Sequence, residues 1–215
     1  MRVAVFSDVH GNLLALERFV RATRNDVDAY MCLGDVVDYG PWNDECLEMV
    51  RQLPGITVLE GNHERLFLGA EDPDHEPPLV QAFFRHSRQF FSREDLIAGL
   101  PSRSELGIFE CVHTIDGRSI FPDTSIEIDR NYMVGHTHRQ FHIHRSGFAI
   151  VNPGSVGQNR RWIDMIDYSI FDTGSGAVDP HSIHYNVALF LSELHQRRYP
   201  EQCIEYYANK PRHGA

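Results

Sequence analysis

The 215-residue sequence predicts an α/β fold, and three observations carry that reading. The N-terminal third alternates strand-like apolar runs with segments of helical period, as βαβ units do. Five apolar runs stop abruptly at side chains able to bind a metal. From Glu105 onward the pattern changes to short strands separated by turn residues.

The first run, Val3-Ala4-Val5-Phe6, ends in Ser7-Asp8-Val9-His10-Gly11-Asn12. In an extended backbone residues i and i+2 point to the same side, so Asp8 and His10 can reach one ion. Gly11 lets the chain turn, and Asn12 can cap the next segment. Leu13, Leu14, Leu16, Phe19 and Val20 then give a helical apolar face ending near Asn25. Ala29 to Leu33 reads as the second strand and delivers Gly34-Asp35. Asp44 to Leu53 reads as a helix stopped by Pro54-Gly55, and Ile56 to Leu59 as a third strand leading to Gly61-Asn62-His63-Glu64.

Glu71 to Pro78 is acidic and proline-rich, which predicts a surface loop, with a lid over a cleft as the functional alternative. Leu79 to Phe91 carries helical spacing with a phenylalanine stripe that reads as core. Ser92-Arg93-Glu94-Asp95 opens a short helix ending near Gly99. Six short strands follow: Gly107 to Val112, Asn131 to Val134, Gln140 to His144, Phe148 to Val151, Met165 to Phe171 and Ala177 to Tyr185. They predict a second, largely antiparallel sheet. The first of them ends at His113 and the second at Gly135-His136-Thr137-His138. Two terminal helices, spanning about 187–208 and separated by Pro200, cover the sheet. We expect a single domain over 1–215.

Ligands in an open α/β sheet lie at the carboxyl ends of its strands, so the five ends can converge. Their Asp, His and Asn side chains suit borderline or hard divalent ions, and the absence of Cys argues against a thiolate site. Asp8-x-His10, Gly34-Asp35, Gly61-Asn62-His63-Glu64, His113 and Gly135-His136-x-His138 together resemble the calcineurin-like binuclear metallophosphoesterases. Asn152-Pro153-Gly154-Ser155-Val156-Gly157 is similar to the tail motif of the small bacterial and archaeal phosphodiesterase branch.

The resemblance runs from Met1 to about Tyr206 and implies a four-layer αββα sandwich of two mixed sheets flanked by helices. It also implies that Asp8, His10 and His138 hold one divalent ion, that Asn62, His113 and His136 hold a second, and that Asp35 bridges them. Manganese, iron and zinc are the candidate metals. A hydroxide shared by the ions is then the nucleophile, and His63 protonates the leaving alkoxide of a phosphoester, most simply a diester. Asn12, Arg65, Arg160 and Arg161 are the candidate phosphate contacts.

The Gly34 to Gly40 run also resembles phosphoprotein phosphatases, in which the Asp matching Asp38 orients the catalytic histidine. The phosphate-gripping Arg that comes next there is Tyr39 here. After His113 the family pattern has Gly, whereas this chain continues Thr114-Ile115-Asp116-Gly117-Arg118. Phosphomonoesterase or phosphoprotein phosphatase activity on the same site is the alternative reading. A non-catalytic scaffold, as in the retromer subunit that resembles this family, is the non-enzyme one.

Composition limits the partners. The formal charge of −10 disfavours a footprint for long nucleic acid, whereas two divalent ions would still draw a small phosphoester into one cleft. No stretch approaches the ~20 apolar residues of a membrane span. Four scattered cysteines without a Cys-x-x-Cys pair read as reduced thiols in a cytoplasmic protein. His75, His86, His181, His195 and His213 fall outside the ligand pattern and read as surface residues. Tyr185, Leu189 and Tyr206 form a candidate patch for homo-oligomerisation.

Overall fold

The computed structural model describes residues 1–214, so Ala215 at the end of the expected span lies outside the described residues. The first half follows the predicted alternation. Strand β1 (Arg2–Phe6) leads into helix α1 (Leu13–Thr23), β2 (Ala29–Cys32) into α2 (Asn43–Arg51), and β3 (Thr57–Val58) into the short helix α3 (Asn62–Phe67). Helices α4 (Pro78–Ser87) and α5 (Glu94–Ile97) come next, with single 3-10 turns at Pro73–His75 and Arg88–Phe90. The helix expected to run to Phe91 therefore tightens after Ser87, and Phe90 projects outward at 63% exposure while Phe83 is fully buried.

The second half holds β4 (Arg103–Leu106), β5 (Phe109–Val112), β6 (Asn131–Val134), β7 (Phe141–Arg145), β8 (Phe148–Asn152), β9 (Met165–Asp172) and β10 (Val178–His184). Helices α6 (Val187–Gln196) and α7 (Glu201–Ala208) close the chain. These strands form two five-stranded mixed sheets, ordered β10-β9-β1-β2-β3 and β4-β5-β6-β8-β7. The hairpin β9-β10 pairs antiparallel onto β1, so it extends the first sheet rather than the second. The second sheet is also less antiparallel than expected. Strand β5 runs parallel to β6 and β6 to β8, while β4 and β7 sit antiparallel at the two edges.

Alternation along β1 shows how the layers are built. Val3 and Val5 point between the sheets, where they meet Met31, Leu33, Cys111, Met133 and Val151. Ala4 and Phe6 point the other way, into a core made with Leu16 and Phe19 of α1, Leu47 of α2, Phe83 of α4 and Phe190 of α6. Both faces of β1 are buried, which is why it reads as a continuous apolar run. The outer face of the second sheet carries Val112, Val134 and Ile150. It is covered by Ile115, Ile120, Ile126 and Ile128 from the irregular segment between β5 and β6 rather than by a helix. Strands β1, β2, β3, β5 and β6 are mutually oriented so that the residues after each of them gather at one rim.

Candidate metal centre

The loops leaving β1 and β2 are laced together beyond the strands. Asp8 N–H donates to Gly34 O at 3.0 Å, His10 N–H to Asp35 O at 3.1 Å and Gly11 N–H to Val36 O at 2.9 Å. The Asn152–Gly157 turn holds the first loop from its other side. Val156 N–H donates to Ser7 O, Gly157 N–H donates to Asp8 O, both at 3.0 Å, and Ser155 Oγ donates to Asp8 O at 2.8 Å. Asn152 reaches the third loop, its amide donating to Gly135 O at 2.7 Å. The tail motif is thus a brace for the loops that carry the candidate ligands.

These loops are strained. Asp8, His10, Asp35, Asp38, Tyr39, His136 and His138 all adopt positive φ between 49° and 73°, a region that residues with a Cβ rarely occupy. Close approach adds a further demand at Gly61, where a Cβ would overlap the Asp35 carboxylate.

Six of the seven expected ligands are brought together in two groups, and the seventh, Asn62, joins the second of them. Asp8, His10 and His138 form one, and Asp35, His113 and His136 the other, each with its ligand atoms within 4.8 Å of one another. Asp35 Oδ2 lies 3.8 Å from His10 Nε2 and 3.1 Å from His113 Nε2, between the two groups. Asn62 Oδ1 lies 3.0 Å from His113 Nε2 and 2.9 Å from His136 Nδ1.

The donor chemistry fits cations. His10 Nδ1 donates to Val37 O at 3.0 Å and His138 Nδ1 to Gln158 O at 2.9 Å. A carbonyl only accepts, so the proton of each neutral ring sits on Nδ1 and Nε2 is left with a lone pair. Yet the two Nε2 atoms face each other at 3.2 Å, beside the buried Asp8 Oδ1, which has no hydrogen-bond donor. In the second group His113 Nδ1 donates to Leu33 O at 2.8 Å, which aims Nε2 at the oxygens of Asp35 and Asn62. Acceptors converging in this way are suited to divalent ions.

The crowding also shows in proton affinity. Burial opposes the charge on Asp8, but the facing His138 holds its carboxyl at about 2. Burial, reinforced by His138 and His63, pushes His10 well below the usual histidine range. Burial also opposes the charged form of His113, and Asp35 outweighs it, lifting the ring to about 10. Burial and the neighbouring His113 push His136 down to about 4.

His63 stands at the cleft wall with its Nδ1 2.8 Å from Asp38 Oδ2. Burial disfavours its charged form, yet Asp35 and then Asp38 raise its pKa to about 9. Its Nε2 is 3.9 Å from Asp35 Oδ2, and with His10 and Asp35 it forms a third group of possible ligands. Distance alone does not separate a ligand from a proton donor here. The Asp38 contact fixes the ring's orientation and tautomer and is compatible with either role.

The remaining site expectations divide. Arg160 lines the cleft with Asp35, Asn62, His63 and His136, whereas Arg161 lines a neighbouring cavity. Asn12 is fully buried, caps α1 through Ala15 N–H and donates to Gly157 O and Tyr185 Oη, so its polar atoms are engaged in holding the fold. Arg65 points to the surface, paired with Glu71 at 2.6 Å and Glu60 at 3.5 Å. The residues after His113 make a tight turn bridged between Ile115 and Arg118, with Ile115 buried. Glu76 and Pro77 from the acidic loop reach the cleft rim. Of the expected oligomerisation patch only Leu189 is exposed, since Tyr185 is buried and Tyr206 packs against Phe83. His86 and His181 are half-buried against Tyr199 and Tyr168 rather than on the surface.

Two contributors were missed in the sequence. Arg139 lines the cleft directly after the ligand candidate His138. Glu64 is fully buried, and its carboxylate accepts the N–H groups of Asp35, Val36, Val37 and Gly61 at 2.7 to 3.2 Å. Its place in Gly61-Asn62-His63-Glu64 was the signal, because an acid at the third position of a helix can reach back to the preceding N–H.

A family model described as calcineurin-like phosphoesterase matches residues 1–142, the stretch that carries both ligand groups, Asn62 and His63. The chain belongs to the calcineurin-like phosphoesterase family. This phosphoesterase is 28% identical to an uncharacterised protein of Methanocaldococcus jannaschii, over 93% of its own length and 94% of the relative's. It superposes on the crystal structure of a metallophosphoesterase from Sphaerobacter thermophilus with a TM-score of 0.79 at 29% identity, covering 97% of this chain and 98% of that one. A hypothetical protein from Pyrococcus horikoshii OT3 shares the fold, with a TM-score of 0.78 at 16% identity and coverage of 96% and 97%. The phosphoesterase is therefore a metal-dependent hydrolytic enzyme, and the scaffold reading is set aside.

Proposed function

We propose that this phosphoesterase hydrolyses small phosphodiesters. Asp8, His10 and His138 would hold one divalent ion and Asn62, His113 and His136 the other, with Asp35 shared between them. The mixed nitrogen and oxygen donors without thiolate favour manganese, iron or zinc. A bound ion pair supplies Lewis-acid polarisation of the phosphoryl group and acidifies a water at neutral pH.

The chain's own residues do the rest. Asp38 accepts the Nδ1 proton of His63 and fixes its tautomer, which leaves the Nε2 proton for the departing alkoxide. Arg160 and Arg139 at the cleft wall would neutralise phosphate oxygens. The observation that carries the reading is the His63–Asp38 pair set beside two convergent groups of metal-binding side chains. The diester preference is supported by Tyr39. It is buried against His10, His63 and Phe83 where the phosphoprotein phosphatases have an arginine, so one cation for a more highly charged monoester is missing. The four cysteines are free and buried, which accords with a cytoplasmic setting.

The test is a matrix of metals against substrates. Protein stripped and reloaded with manganese, iron or zinc should hydrolyse bis(4-nitrophenyl) phosphate faster than 4-nitrophenyl phosphate. Faster monoester cleavage under every metal would overturn the diester assignment.

A further inference from the structure

The cleft over the metal centre, about 500 Å³, is not alone: a second cavity of about 610 Å³ adjoins it, and His138, Arg139 and Arg160 line both. The second cavity holds none of the other candidate ligands and no part of the His63–Asp38 pair.

Its walls have a distinct chemistry. The Arg161 guanidinium lies over the Trp162 ring, 5.2 Å from the indole centroid, and His213 meets that ring edge-on. In the same cavity the Asp167 carboxylate accepts Ser182 Oγ and Asn159 Nδ2, both at 2.6 Å, which presents a hydrogen-bonding floor. Burial raises the pKa of Asp167, an environment in which a carboxyl gains by meeting a donor. Arg160 is steadied at the shared mouth by its bond to Tyr206 Oη at 2.6 Å.

Among the described residues Arg139, Arg160 and Arg161 form no ion pair with a carboxylate, whereas Arg65, Arg85, Arg93 and Arg130 do. Three guanidiniums therefore line one cavity whose lining includes a single carboxylate, Asp167, in a chain of formal charge −10. Such groups attract anions, and aromatic faces beside guanidiniums take nucleobases.

Resting on the phosphodiesterase reading above, we propose that this annex is a subsite for a nucleotide unit of the diester substrate. The scissile phosphate lies in the metal cleft, Arg160 bridges the two cavities, the base stacks at Trp162, and a second phosphate meets Arg161. The polar floor of Asp167, Asn159 and Ser182 faces the base edge, which carries donors and acceptors. This chemistry selects substrates with two phosphates and at least one base over small aryl or alkyl diesters.

The experiment compares three substrates, bis(4-nitrophenyl) phosphate and a thymidine dinucleotide with and without a terminal 5′-phosphate, in the metal-loaded parent, R161A and W162A. Binding of thymidine 3′,5′-bisphosphate is measured alongside by calorimetry. In the parent, kcat/KM should be highest for the phosphorylated dinucleotide. R161A should lower that value at least tenfold more than it lowers the value for the aryl diester. W162A should penalise both dinucleotides by a similar margin, and both variants should weaken bisphosphate binding about tenfold. Equal losses for all three substrates, or bisphosphate binding unchanged in both variants, overturns the subsite. Pyrophosphate competing as well as the bisphosphate overturns its nucleotide character. Cleavage of the aryl diester without either dinucleotide refutes the annex but leaves the phosphodiesterase reading standing, whereas no cleavage of any diester refutes both.

Discussion

Glu64 accepts the backbone N–H of Asp35 at 2.8 Å, so the carboxylate expected to sit between two ions is itself held by a carboxylate that belongs to neither ligand group. Burial and the neighbouring Asp35 push the pKa of Glu64 up, while its backbone donors favour the ionised form. Glu64→Gln keeps the shape but turns an NH2 group toward N–H donors. A buried donor left unsatisfied costs about 1–3 kcal/mol. We expect urea denaturation to show a loss of that order, together with reduced metal content.

Asp35→Asn should abolish occupancy of both ions, because the residue approaches both ligand groups. Elemental analysis of reconstituted protein should give about two ions per chain for the parent. One ion per chain with full activity would refute the binuclear centre.

His63→Ala should leave both metals bound and slow the reaction selectively. A positioned general acid is worth ~10²–10⁴-fold, and nitrophenolate departs without needing a proton. Across a graded series of aryl and alkyl diesters, the variant should therefore show a steeper dependence of rate on leaving-group pKa. His138→Ala should instead lower metal content and rate together for every substrate. Metal depletion with equal losses for all leaving groups in His63→Ala would move His63 into the metal shell.

Lys210 gives a pH prediction away from the centre. Burial, and then Arg160, push its ammonium down to about 7 from 10.5, although the faces of Tyr206 and Tyr207, 4.4 and 5.3 Å away, oppose the shift. Between those values the unfolded chain binds a proton that the folded chain does not. Its contribution to stability is thus complete above 10.5 and is lost as pH falls through about 7. Lys210→Met should flatten the rise in stability between pH 7 and 10, read from denaturant midpoints. Parallel profiles for variant and parent would contradict the assignment.

The strand ends whose Asp, His and Asn side chains converge were legible because each is local: an apolar run, a turn residue and a side chain at fixed spacing. Sheet membership was not. The turn at Gly174-Ser175-Gly176 announces that β9 and β10 pair with each other, but nothing near it says that β9 lies beside β1. Strand β4 escaped notice because Arg103, Ser104 and Glu105 are polar, and an edge strand needs few apolar residues. Asn12 and Arg65 do not line the cleft, for one shared reason. Adjacency to a ligand motif gives residue type but not direction, and Asn12 turns inward to cap α1 while Arg65 turns outward to Glu71.

The left-handed backbone at Asp8, His10, Asp35, His136 and His138 sets thermal robustness against activity at the same positions. Each such residue carries about 1–3 kcal/mol of conformational strain that glycine would relieve. A library screened only for heat resistance should therefore drift toward glycine or asparagine at these sites and lose turnover as it does so. Screening that retains both properties must find its gains elsewhere, on surfaces such as the edge at β7, which lines neither the cleft nor the cavity beside it.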